Sequence, residues 1–274
     1  MSLDTQGKLA IAAIALYVPF LVLTFRVAYK YGIAGEGWIL LFIFSLIRVV
    51  GGGLLVAAEE IRPAVTGLYI GGYALEASGL SPLLLCSLGL LHTVFQAPDG
   101  EARYSRPFRL LHLLGTGALV LTIIGITSTS PSSSSSANTM RRAGVLLFAL
   151  LYVIILLITG FAWTRASTIM KHRKSLLLAI SIALPFLAVR TLYSILSTFS
   201  SDTFESTTPN TSSLAKFNMF SGEWQIYVVM EVLMEYAIVI LYTGAGTFLD
   251  LNQDYKLGDS YNDEYPLYRP QYQY

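Results

Sequence analysis

The stretch Ile226–Tyr242, IYVVMEVLMEYAIVILY, is apolar enough to cross a bilayer yet carries two carboxylates, Glu231 and Glu235. They stand at i and i+4, so they share one face of a helix. Tyr227 lies one turn before them and Tyr242 seven residues after Glu235, so the face reads Tyr–Glu–Glu–Tyr. A carboxylate at membrane depth costs several kcal/mol unless something pairs with it. The rest of the chain must supply that partner, and it has two candidates, Arg48 and Arg190.

Six other runs are as long and as apolar. Together the spans are about Leu9–Tyr29, Gly37–Ala58, Gly67–Phe95, Phe108–Ser128, Ala143–Thr164, Ser175–Phe199 and Glu223–Phe248, each meeting the ~20 residues that a bilayer requires. Only 13% of residues are charged, about half the share in a soluble domain. The expected fold class is all-α: a polytopic membrane protein with seven transmembrane helices in one domain, residues 1–250. A polar, tyrosine-rich tail, 251–274, follows and reads as disordered. The first run is too long for a signal-peptide core and is kept as a span.

Pro82 in the third run and Pro185 in the sixth predict kinks. Gly51-Gly52-Gly53 in the second predicts close packing of a neighbouring helix or a local break. The first, third and fifth loops, with their flanks, hold most of the lysines and arginines, above all RASTIMKHRK at 165–174. By the positive-inside rule this places the N-terminus outside and the C-terminus in the cytosol. The sixth loop carries Asn210-Thr211-Ser212, a glycosylation acceptor pattern usable only on the lumenal side. Plasma membrane and endomembrane fit equally.

Five charged residues lie well inside spans: Arg48, Glu76, Arg190, Glu231 and Glu235. Counted from the outer end of each span, the first four named on different helices come out about 12–15 Å deep and Glu235 about 18 Å deep. Equal depth is what pairing requires. Two arginines and three glutamates leave one negative charge over, which vanishes if one glutamate is protonated. Tyr193, Ser194 and Ser197 continue the Arg190 face, and Tyr69 and Tyr73 the Glu76 face. With Tyr227 they line a polar cavity opening outward.

Three readings of this layer are open. It can be a structural ion-pair network, a binding or proton-relay site, or an acid-catalytic site. In the last, Glu231, Glu235 or Glu76 is the proton donor and tyrosine faces stabilise a cation formed from a lipophilic substrate. No phosphate-cradling loop, aspartate-rich diphosphate motif or histidine cluster is present. No metal and no cofactor are therefore expected. His92 and His112 can face one another across the third and fourth spans, where interfacial hydrogen bonding is the ordinary role. A net charge of +1 without any basic arm gives no reason to invoke nucleic acid. The partners expected are the lipid bilayer and a small lipophilic ligand.

Several stretches resemble a family of fungal seven-span integral membrane proteins classed as a domain of unknown function. They are FSLIRVVGGGL (44–54), GLSPLLLCSLGLL (79–91), RPFRLLHLLGTGALVLTIIG (106–125), ALPFLAVRTLYSILSTFS (183–200) and MEVLMEYAIVILYTGAG (230–246). The resemblance implies a single seven-helix domain and family positions at Arg48, Arg190 and the last-span glutamates. It implies no reaction. That family's last span often reads Glu-Glu side by side. Here Met234 precedes Glu235, and the extra acid is Glu231. On residues and resemblance together, the expected function is binding, sensing or transport of a small lipophilic molecule. The alternatives are a membrane-embedded acid-catalysed cyclase or isomerase of a fungal secondary-metabolite pathway, and a receptor-like sensor.

Overall fold

The computed structural model describes residues 5–32, 36–61, 65–96, 105–128, 134–167, 169–200, 216–217 and 223–249. Asn210 and the stretch 251–274 lie outside these residues, and so does most of the sixth loop. The helices are α1 (Thr5–Tyr31), α2 (Glu36–Glu60), α3 (Thr66–Ser78), α4 (Leu80–Phe95), α5 (Ser105–Thr127), α6 (Ser134–Thr164) and α7 (Lys171–Ser200). A last composite helix follows, made of α8 (Trp224–Tyr227), a π-helical turn (Val228–Leu233) and α9 (Met234–Phe248). Taking α3–α4 as one span and α8–α9 as another, seven helical spans are long and apolar enough to cross a membrane. The chain is a multi-pass membrane protein.

The surface agrees with that. Leu110, Leu113, Leu157 and Val22 are each more than 60% exposed. In water a belt of such side chains is costly, whereas lipid solvates it. The charged residues of the layer are instead turned inward. The α3–α4 span is the centre of the bundle: 89% of its apolar stretch is buried, against 17% in α1 and in α5. Around it α4 touches α2, α5, α6 and α7, while α7 packs against α9. The core of Leu83, Leu84, Leu88, Leu90 and Leu91 from α4 meets Phe44, Phe148, Leu187 and Ile238 from its neighbours.

The third span is interrupted three residues before the expected kink, at Gly79 rather than at Pro82. Pro82 has no N–H for the carbonyl of Ser78, four residues back, and its ring crowds that carbonyl. The chain answers upstream. The Gly79 N–H bonds the Glu76 carbonyl, three residues back, at 3.2 Å. The Ser78 hydroxyl donates to the Leu75 carbonyl at 2.8 Å, replacing the helical bond that Gly79 gives up. Gly79 keeps helical dihedrals (φ −57°, ψ −26°), so the interruption is a tightened turn and not a corner. Helix α7 runs on through Pro185 without interruption.

The three glycines of α2 are helical and serve close packing. A Cβ on Gly51 would lie 3.2 Å from Leu75 Cβ, and one on Gly52 2.9 Å from Ile14 Cγ1. Gly53 faces open space. Two helices, α3 and α1, thus pack closely against adjacent faces of α2 just beyond Arg48.

Candidate functional site

Arg48 and Arg190 reach the last span from two sides. On α2, Phe44, Arg48, Gly51 and Leu55 follow helical spacing and are all buried. On α7 the same spacing buries Leu187, Arg190 and Ser197. Glu231 sits in the π turn and Glu235 in the first turn of α9, and both are almost fully buried. A π turn closes i→i+5 rings and so takes in one more residue than an α turn. Here it places both carboxylates between the arginines.

The four side chains form a closed ring of ion pairs. Arg190 Nε donates to Glu235 Oε1 at 2.6 Å, and its Nη2 to Glu231 Oε1 at 2.9 Å. Arg48 Nη2 meets the same Glu231 Oε1 at 3.2 Å and also pairs with Glu235 Oε2. Each arginine thus holds both glutamates. Arg190 Nη1 donates to Ser194 Oγ at 2.6 Å. The guanidinium of Arg48 stands 5.6 Å from the Phe44 ring centre, and that of Arg190 6.0 Å from the Tyr193 ring centre. Two positive and two negative groups cancel. Desolvating four charges is expensive, and mutual pairing with good hydrogen bonds offsets it.

Gly79 makes room for this ring. A Cβ there would lie 2.9 Å from Arg48 Nη2 and 3.1 Å from Cζ. The tightened turn between α3 and α4 is therefore also the surface on which the Arg48 guanidinium rests.

Glu76 is brought to the ring but not into it. It is buried on α3, and the Tyr227 hydroxyl hydrogen-bonds its carboxyl. Among the described residues no cation forms an ion pair with it within 4 Å. Tyr193 sets its ring edge-on to Tyr227, centres 6.5 Å apart. Of the layer predicted from the sequence, Arg48, Arg190, Glu231 and Glu235 bond one another, Glu76 and Tyr227 pair beside them, and Tyr193 lies over Arg190.

Tyr242, at the far end of the predicted face, leaves the site. Its hydroxyl lies 2.7 Å from Ser87 Oγ on α4, buried in the core. Conversely, Tyr17 of α1 joins the site without any signal in the sequence. It is 1% exposed and packs edge-on against Phe44 and Tyr236, centres 5.8 and 6.1 Å away. One polar residue in an apolar run gives no indication of which neighbour it will meet. The π turn was equally invisible, because its residues VVMEVL suit an α-helix.

A cavity of about 160 Å³ opens beside Glu76, between α1, α2, α3 and the start of the last span. Leu55, Tyr69, Tyr73, Glu76, Trp224 and Tyr227 line it, with Ala13 and Val232 on its flanks and Glu59 and Glu223 also contributing. A much smaller cavity, about 30 Å³, lies on the other side of the ring against Arg141, Arg190, Ser194 and Glu231. At the opposite end of the bundle the His92 ring stacks at a tilt on Phe108, centres 4.8 Å apart. Arg173, which the sequence places in a loop, is buried in the first turn of α7 and bonds the Gln96 carbonyl. Among the described residues no three histidine, cysteine or acidic side chains converge as metal ligands do.

A family model described as a domain of unknown function, DUF7702, matches residues 3–252. The chain belongs to that family. The match spans all seven helices, the ion-pair ring and the cavity, so these are parts of one family domain. No curated protein and no solved structure matches the chain.

Proposed function

We propose that the protein binds a small lipophilic molecule in the cavity beside Glu76. The observation that carries this reading is the cavity itself. Its walls are chiefly aliphatic and aromatic, from Ala13, Leu55, Trp224 and Val232, with a few polar groups from Tyr69, Tyr73, Glu76 and Tyr227 converging at one side. That combination of apolar walls and few placed polar groups is the ordinary make-up of a small-molecule site. Its position among transmembrane helices suits a ligand that arrives from the bilayer.

The ion-pair ring is separate from this cavity, whose lining includes Glu76 and Tyr227 but none of the four ring side chains. Glu231 and Glu235 are each held by two arginines, so neither is free to act on a ligand as it stands. This favours binding over acid catalysis by those two groups.

A photoreactive diazirine alcohol with an eight-carbon chain, added to the full-length protein in non-ionic detergent, tests the reading. Crosslinks should concentrate in 9–16, 69–76 and 224–232. Ala13→Phe, which fills the cavity, should reduce them at least about tenfold, the loss of roughly 1.4 kcal/mol of binding. Labelling spread evenly over the lipid-facing helices, and unchanged by Ala13→Phe, would overturn it.

A further inference from the structure

The charge count at the layer is specific. Arg48 Nε is buried without a hydrogen-bond partner among the described residues, while Arg48 and Arg190 each form ion pairs with both Glu231 and Glu235. That leaves Glu76 as a third carboxyl at the same depth, 8% exposed, with a tyrosine hydroxyl as its bonded partner. Glu76 lines the cavity, whereas the four ring side chains do not. Among the described residues no lysine, arginine or histidine lines that cavity, whereas Glu59, Glu76 and Glu223 all do. Glu223 already has Lys216 4.0 Å away at the exposed rim. Arg48 acts on Glu76 through its field, but its guanidinium is committed to the ring.

The other walls fit the same kind of guest. Tyr69, Tyr73, Trp224 and Tyr227 put four aromatic rings around the space, and the faces of such rings attract cations. Carboxyl and aromatics together form the arrangement that recognises alkylammonium groups. Among the described residues no three histidine, cysteine or acidic side chains converge here as they would around a transition-metal ion.

Resting on the binding reading above, we propose that the ligand is a lipophilic organic cation, an alkylamine or quaternary ammonium, whose charged head sits between Glu76 and the tyrosines. Its apolar chain runs along Ala13, Leu55 and Val232. The positive head of the guest pairs with the Glu76 carboxylate, and the two opposite charges compensate one another inside the bundle.

The test uses full-length protein in neutral maltoside micelles and four probes with the same eight-carbon chain: octyltrimethylammonium, octylamine, octanol and octanoate. Binding is read by calorimetry. The two cations should bind at least about tenfold more tightly than octanol, as a favourable cation–π and charge contact implies, and octanoate should not bind. Glu76→Gln should remove the preference for cations while octanol binding stays the same. Ala13→Phe should weaken cations and octanol alike. If cations and octanol bind equally in the wild type, a lipophilic site exists but the cation assignment is wrong. If none of the four binds, both readings fall. The wild-type ranking alone decides the issue even if Glu76→Gln proves unstable, and a retained cation preference in a folded Glu76→Gln would overturn the role given to Glu76.

Discussion

At one depth in the bundle the protein treats its carboxylates in two ways. Glu231 and Glu235 lie in a closed ring with two arginines, every charge matched within bonding distance. Glu76, on the neighbouring helix, is hydrogen-bonded by Tyr227 and lines a cavity together with it. The ring is what a helix bundle needs to fix the relative positions of α2, α7 and the last span. Its polar groups cannot slide by a turn without orphaning a charge in hydrocarbon. The unmatched acid does nothing of that kind. It is a buried carboxyl without an ion pair among the described residues, which is the basis for the proposed site. The contrast separates the ion-paired acids from the acid of the proposed binding site in a single layer.

That contrast is open to direct attack. The largest effect should come from the ring. Arg190→Met leaves two buried carboxylates with one cation between them and should destabilise the protein by ~3–5 kcal/mol, measured by denaturant unfolding in detergent. Glu235→Gln, which keeps the size and one acceptor, should fall at the low end of that range. A loss below about 1 kcal/mol in both would mean that the ring is dispensable to the fold.

A middle-sized effect tests how the ring is seated. Gly79→Leu forces a side chain into the space of the Arg48 guanidinium and should cost ~2 kcal/mol by overpacking. In an Arg48→Met background that penalty should shrink by at least about 0.5 kcal/mol, the smallest coupling that a double-mutant cycle resolves. Strict additivity would show that Gly79 matters to the α3–α4 turn alone.

The smallest effect should come from Glu76. Gln keeps the acceptor for Tyr227 and removes only the carboxyl that no arginine pairs, so Glu76→Gln should change stability by less than about 1 kcal/mol, and a gain is as acceptable as a loss. A loss as large as that of Arg190→Met would move Glu76 into the structural network and erase the comparison.

The seven spans, and the inward burial of their charges, were legible in the sequence because the bilayer imposes a length and a hydropathy that few other folds share. The two arginines were legible as partners for the last-span acids because the other lysines and arginines lie in loops or near the ends of spans. What the sequence left open was the division of labour among the three glutamates. Depth along a helix follows from residue count, so all five charges could be placed in one layer. Which acid meets which arginine depends on how the helices turn toward one another, and residue count is silent on that.

Local chemistry at two points shows the same limit. Pro82 predicted a disturbance in the third span, but its place, Gly79, was set by the Ser78 hydroxyl capping Leu75 and by Arg48 resting on the glycine. Pro185, the same residue type in a similar setting, left α7 continuous. The π turn at Val228–Leu233 has no signature in its residues. It exists where two acids must face two arginines at once, which is a tertiary demand.

The sequence by itself determined that this is an all-helical chain of seven spans, because hydrophobic length is a one-dimensional quantity. It also determined that the chain carries a buried charged layer. Only the tertiary structure decided that two acids are consumed by the arginines while Glu76 is left to a cavity. Ion pairing is a matter of a few ångströms between side chains on different helices, and helix rotation and backbone irregularity, not sequence spacing, set that distance.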